Sequence, residues 1–173
     1  ISVILDHRLG VDKEHFRKIG NHFNISRKNL RVLTFFQSQK QINELEDIFG
    51  NSCVKLSCLK KEEDFQKKVL IVDSIGQLRY IYKYANFCYV GGGFSKNSLH
   101  NILEPSVFSC PVIIGNLYYG FKEAEDLIEL GGVLSIKNSI EFSQVFSELC
   151  LREEKEKQRQ EQLKLKEIEG KKT

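Results

Sequence analysis

Short apolar runs alternate along the chain with stretches in which apolar residues recur every three or four positions. Residues 2–5 (SVIL), 30–36 (LRVLTFF), 54–58, 69–72 (VLIV), 87–90 (FCYV), 112–114 and 133–136 read as strands. The runs at 69–72 and 87–90 have almost no polar residue, as expected of strands covered on both faces. Phe16, Ile19 and Phe23 mark a helix over 12–23, and Ile42, Leu45, Ile48 and Phe49 mark another that Gly50 stops. Leu78, Ile81, Tyr82 and Ala85 mark a third helix. Three more are predicted over 100–109, over 121–130 with Gly131 and Gly132 closing it, and over 140–149. The charged stretch 60–68 reads as a loop. Strands and helices alternating at these lengths predict a three-layer α/β domain, with a parallel sheet between helices and right-handed crossovers.

This pattern accounts for residues 1–150. The remainder, 151–173, has eight Lys/Arg, six Asp/Glu and few apolar residues, and is predicted to be a charged helical tail that frays in solvent or leans partly on a partner. Its mixed signs argue against a nucleic-acid arm, and the net charge of +3 is too small to argue for nucleic acid. At 173 residues, 41% hydrophobic and 28% charged, the chain is an ordinary globular domain with room for a core. It contains no Met, so it is expected to be a piece of a longer protein. The five cysteines form no CxxC pair, and Cys88 and Cys110 lie in apolar runs where a thiol acts as a small hydrophobe. The four histidines have no ligand spacing with them, so no metal site is expected. No stretch approaches the ~20 apolar residues of a membrane span, and no signal peptide is visible.

In an open α/β sheet, ligands bind beyond the carboxyl ends of the strands. Three predicted loops lie there: 73–77 (DSIGQ), 91–99 (GGGFSKNSL) leading into 100–105 (HNILEP), and 116–122. Gly92 and Gly93 let backbone approach a ligand closely. Ser95 and Lys96 offer a hydroxyl and a cation. Asn101 and Glu104 are three apart, on one face of the predicted helix, where a carboxylate can accept from a ribose diol. A glutamate in a first turn also suits the helix dipole with no ligand present, and glycine runs occur in many turns. His100 can cap the loop or contact a ligand, and Glu123 can contact a ligand or pair with Lys122 or Lys96. Tyr118 and Tyr119 can stack on a base or form a lid. His7 and Arg8, after the first strand, fit a solvated loop better than a place facing the same cleft. Neither GxGxxG nor GK[ST] is present, which disfavours a dinucleotide or P-loop ATP site.

Residues 69–136 resemble the C-terminal domain of the 3-deoxy-D-manno-octulosonic acid (Kdo) transferases, glycosyltransferases with two Rossmann-like domains (GT-B). The family pattern VxDTxGEL, Tyr–Ala–Asp, FVGGS, GGHNxLEP, PVxxGP and NFxE appears in order. Its counterparts are Val72 to Leu78, Tyr84-Ala85-Asn86, Tyr89 to Gly93, His100 to Pro105, Pro111 to Gly115, and Phe121-Lys122-Glu123. Gln77 stands for the family's glutamate, Ser98 and Leu99 for its two glycines, and Asn116 for its proline.

The resemblance implies a three-layer Rossmann-like domain, the C-terminal half of a GT-B glycosyltransferase that transfers Kdo to a lipid A precursor in lipopolysaccharide biosynthesis. It implies that Ile75, Gly76 and Gln77 meet the nucleotide of CMP-Kdo, and that Asn101, Ile102, Leu103 and Glu104 hold its ribose and phosphate. With Gly92, Gly93, Ser95, Lys96 and Glu123 these form the expected donor site. No catalytic residue is expected in this chain: the resemblance places the general base, the acceptor site and any membrane attachment in an N-terminal portion. Transfer is then inverting, needs no metal or other cofactor, and takes place at the cytoplasmic face of the bacterial inner membrane, with this piece itself soluble. Two other readings fit the residues: a different sugar-nucleotide transferase or epimerase domain, and a catalytically silent α/β binding module.

Overall fold

A computed structural model describes residues 2–6, 31–35, 39–74, 76–94 and 99–170. The predicted helix over 12–23 and His7 and Arg8 lie outside the described residues. Seven strands form one parallel sheet: β1 (Ser2–Asp6), β2 (Arg31–Phe35), β3 (Cys53–Lys55), β4 (Val69–Val72), β5 (Phe87–Val90), β6 (Val112–Gly115) and β7 (Val133–Ile136). Their order is β3-β4-β2-β1-β5-β6-β7. The helices are α1 (Gln39–Phe49), α2 (Leu78–Ile81), α3 (Leu103–Ser106), α4 (Lys122–Glu129) and α5 (Ser139–Gly170).

Alternation along the strands splits the core into two layers. Val69, Ile71, Phe87, Tyr89 and Ile113 point to one side, against Ile42, Leu45 and Phe49 of α1 and Phe142, Phe146 and Leu149 of α5. On this side Phe87 meets Phe146 edge-on at 5.3 Å between centroids, and Tyr89 meets Phe142 at 5.3 Å. Val72 and Cys88 point to the other side with Leu78, Tyr82 and Cys110. Val90, Val112 and Ile114 point there as well, with Ile102 and Ala124. Cys88 and Cys110 are buried and not joined in a disulfide, with their sulfurs 3.2 Å apart, packed as the apolar surroundings predict.

The chain moves from β2 through α1 toward the β3 edge, and from β5 through α3 and α4 toward the β7 edge, with helices on opposite faces. The two directions diverge between β1 and β5, where Asp6 and Val90 pair at the carboxyl ends. A crevice for a ligand is expected beyond that point.

Several elements differ from the sequence reading. The predicted loop at 60–68 contains a 3-10 turn, Glu62–Gln66, whose Asp64 carboxylate accepts from the backbone N–H groups of Lys60 and Lys61 at 3.0 and 2.9 Å. The third strand is shorter than expected and passes into a 3-10 turn at Leu56–Cys58. The helix predicted over 100–109 is a single turn, Leu103–Ser106, closed by Ser109 at φ 55°. Pro105 explains the late start: it has no N–H to donate, so it is tolerated only in a first turn. The tail joins the last helix of the domain, and α5 runs unbroken for 32 residues across position 150. Asn138 starts α5 by accepting from the N–H groups of Ile140 and Glu141 at 2.9 and 3.0 Å, and no Gly or Pro intervenes before Gly170.

Candidate functional site

Three loops leave the carboxyl edge of the sheet, one from β4 and two from the neighbouring strands β5 and β6. The first leaves β4 at Asp73. Its carboxylate accepts from the Ser57 hydroxyl at 2.5 Å and the Ser57 N–H at 3.1 Å, so it ties this loop to the end of β3. Partial burial pushes its pKa up, but the two bonds from Ser57, together with its own backbone N–H and the Lys55 charge, hold it below the usual carboxylate range. Gly76 sits at φ 85° with open space around it, and Gln77 is exposed just ahead of α2. Ile75 lies outside the described residues.

The second loop leaves β5 at Gly91, and here the glycines have a structural reason. Gly92 and Gly93 have φ of 91° and 74°. A Cβ on Gly93 would stand 2.8 Å from the carbonyl oxygen of Gly115, at the end of β6. A Cβ on Gly115 would stand 2.4 Å from the carbonyl of Gly93. The two backbones therefore touch directly, and the N–H of Leu117 donates to the Gly93 oxygen at 2.7 Å. The second and third loops are one packed unit. Gly115 belongs to it, although its residue type alone gives no hint of a contact with Gly93. Ser95 and Lys96 lie outside the described residues.

The chain returns at Leu99, where the His100 N–H donates to the Gly91 oxygen at 3.3 Å. Asn101 is exposed and precedes α3, so it does not share a helix face with Glu104 as the spacing suggested. It makes a tighter arrangement instead. The Asn101 Oδ1 accepts from the Leu103 N–H at 3.0 Å, and its Nδ2 donates to the Glu104 Oε1 at 3.2 Å. The amide thus starts the turn and orients the half-buried carboxylate. The Ile102 side chain is in the core with Val90 and Ile114, so only its backbone faces the loop region. Leu103 is exposed.

The third loop leaves β6 at Asn116. Tyr118 and Tyr119 stack on each other with centroids 4.8 Å apart and planes at 24°. A hydrogen bond with Tyr119, then burial, raises the pKa of the Tyr118 phenol. Glu125 accepts from the Gly120 N–H at 3.1 Å and so closes the loop onto α4. Glu123 is exposed in the first turn of α4. Among the described residues no group of three or more His, Cys, Asp or Glu side chains could hold a metal ion. No helix among them is long and apolar enough to cross a membrane.

A parallel sheet between two layers of helices, with loops at its carboxyl edge, is a three-layer Rossmann-like fold. Comparison with solved structures bears this out. The C-terminal CMP-Kdo binding domain of WaaA from Acinetobacter baumannii superposes with a TM-score of 0.73 at 21% identity, covering 91% of this chain and 83% of that one. The C-terminal domain of a group 1 glycosyl transferase (LpcC) from Francisella tularensis gives 0.55 at 12% identity, covering 86% and 74%.

The sequence likeness is narrower, and it is to Kdo transferases. The chain is 32% identical over 93 residues to the 3-deoxy-D-manno-octulosonic acid transferase of Haemophilus influenzae, covering 53% of this chain and 22% of that protein. It is 33% identical over 108 residues to that of Chlamydophila psittaci, covering 61% and 25%. The chain thus spans about a quarter of the length of these relatives. No family model matches it.

Proposed function

We infer that this chain is the donor-binding part of a Kdo transferase, holding CMP-Kdo while an acceptor hydroxyl on a lipid A precursor displaces CMP. The observation that carries this reading is the Asn101–Glu104 pair at the carboxyl edge. A carboxylate held by an amide there is suited to accept hydrogen bonds from the two hydroxyls of a ribose. The likeness to the Kdo transferases of H. influenzae and C. psittaci, and to the fold of the CMP-Kdo binding domain of WaaA, supports CMP-Kdo as the donor.

In this reading Gly76 and Gln77, with Ile75, lie along the nucleotide. Gly92 and Gly93, with Ser95 and Lys96, pass close to the phosphate, and Asn101, Ile102, Leu103 and Glu104 hold the ribose, Ile102 through its backbone. Glu123 reaches the donor sugar. The general base and the acceptor site belong to an N-terminal portion, and the whole enzyme works at the cytoplasmic face of the inner membrane. Residues 1–150 are the donor-binding unit and 151–173 its charged extension.

Calorimetric titration of the chain with CMP and with UDP tests this reading. CMP is expected to bind more tightly, and Glu104→Gln to weaken CMP. Clear preference for UDP would replace the reading with another sugar-nucleotide enzyme.

A further inference from the structure

Cys88 lies in β5, which is paired on both sides, and Cys110 lies two residues before β6. The sheet register sets Cys88 opposite Val112, and the Cys88 N–H donates to the Pro111 oxygen at 2.8 Å. Both side chains enter the same core layer, with Val72, Leu78 and Tyr82. Their sulfurs are 3.2 Å apart. Bonded sulfurs stand about 2.05 Å apart, so joining this pair takes a closure of roughly 1 Å. The other cysteines are placed differently. Cys150 is in the opposite core layer with Cys53 at its margin, and Cys58 is exposed after β3.

Packing alone would be served by any two small apolar side chains. Two thiols in contact add a chemistry that alanine and valine lack. A thiol buried among apolar groups reacts slowly, so access decides whether that chemistry is used. Cys88 is 0% exposed on a strand held by both its neighbours. Cys110 is 5% exposed and closes a surface segment in which Val107 is 78% and Phe108 43% exposed. Ser109, just before it, sits at φ 55°, where residues with a Cβ are uncommon. The segment is a single helical turn and a strained corner, and its bonds are short-range, such as the Ser109 N–H to the Ser106 oxygen at 3.0 Å. Local opening there uncovers Cys110 while β5 stays in place.

We propose that Cys88 and Cys110 are a dithiol that a peroxide oxidises to a disulfide. The Cys110 sulfur attacks one peroxide oxygen and the O–O bond breaks. That oxygen stays on sulfur as a sulfenic acid, and the other leaves as water with the thiol proton. The Cys88 sulfur then displaces the sulfenic hydroxyl, which leaves as water with the Cys88 proton. Two thiols are oxidised, and one hydrogen peroxide is reduced to two waters. The new bond closes the span 88–110, which carries Gly92, Gly93, Asn101 and Glu104, and ties the segment after α3 to β5. It does not depend on which donor the carboxyl edge takes.

Treating the reduced 173-residue chain with hydrogen peroxide, in buffer and in urea well below its unfolding midpoint, tests this. Remaining thiols are then alkylated and the peptides mapped by mass. Peptides joined through Cys88 and Cys110, lighter by two hydrogens, are expected, and they should form faster in the urea. The same product is expected in Cys58→Ser, which removes the exposed thiol. The urea midpoint of the oxidised chain should rise by about 1–2 M, because the closed span restricts the unfolded chain, and dithiothreitol should reverse the rise. Cys110→Ala should give neither the joined peptides nor the rise. Unreacted thiols, a sulfinic acid at Cys110 in place of the joined peptides, or Cys88 joined to a different cysteine would overturn the proposal. So would joined peptides in a chain whose midpoint does not rise, because the folded structure would then not accept the bond.

Discussion

A methyl group on Gly115 would land 2.4 Å from the carbonyl carbon and oxygen of Gly93 and 2.7 Å from the oxygen of Gly92. All three obstacles are backbone atoms, so no side chain can swing away. Relief requires the loops after β5 and β6 to separate, which strains or breaks the 2.7 Å hydrogen bond from Leu117 to Gly93. Overpacking of this kind costs about 1–3 kcal/mol, and a lost backbone hydrogen bond adds about 1 kcal/mol. We expect Gly115→Ala to lower stability by about 2–4 kcal/mol, a large share of a typical domain's 5–15 kcal/mol. Gly93→Ala meets the same wall and adds a residue at φ 74°, so its cost is similar or larger. Gly76→Ala is the control: its φ is 85° but nothing lies within 4 Å, so only backbone strain of about 1–2 kcal/mol is expected. Urea unfolding followed by circular dichroism reads all three, and at ~2 kcal/mol/M a 3 kcal/mol loss moves the midpoint by about 1.5 M. The reasoning fails if Gly115→Ala stays within about 0.5 kcal/mol of the wild type, or if Gly76→Ala costs as much as Gly115→Ala.

Other links give sharper local tests. Asn86 donates to Glu153 on α5 at 2.6 Å, where the Kdo transferase pattern has an aspartate that could not donate. Asn86→Asp should cost about 1–3 kcal/mol in urea unfolding, and Glu153→Gln added to it should recover most of the loss. Asp73 has a depressed folded pKa, so its contribution is present above its unfolded value and lost as pH falls through the folded one. The stability gap between wild type and Asp73→Asn should therefore be full at neutral pH and shrink in acid, and a gap that widens in acid would contradict the Ser57 assignment. Phe146 is 1% exposed and packs edge-on against Phe87, so Phe146→Ala should cost about 3–5 kcal/mol in the same assay.

The strands were legible because burial on both faces leaves few polar residues in runs such as VLIV and FCYV. The doubly covered parallel sheet followed from their alternation with helices. Helix ends were less legible, because they depend on single residues read in context. Pro105 belongs in a first turn, which moves the start of α3 past Asn101 and changes Asn101 from a helix-face partner of Glu104 into the group that orients it. The tail was read as separate from its loss of apolar residues, but nothing in it breaks a helix before Gly170, so α5 continues. The contacts Gly93–Gly115, Ser57–Asp73 and Asn86–Glu153 were not legible. Each joins residues brought together only by the order of strands in the sheet or by α5 lying across it. The glycine run shows the consequence: its composition suggests close approach of a ligand, and nothing in it tells that the end of β6 also packs against Gly93.

The central claim is that the carboxyl edge of this sheet takes a cytidine monophosphate. A ¹H–¹⁵N titration of the chain with CMP up to millimolar concentration tests it most directly. Saturable shifts are expected in the backbone amides of Gly76, Gln77, Asn101 and Glu104, and Glu104→Gln should weaken them. No shift at Asn101 and Glu104, or shifts confined to the opposite edge of the sheet, would contradict the account.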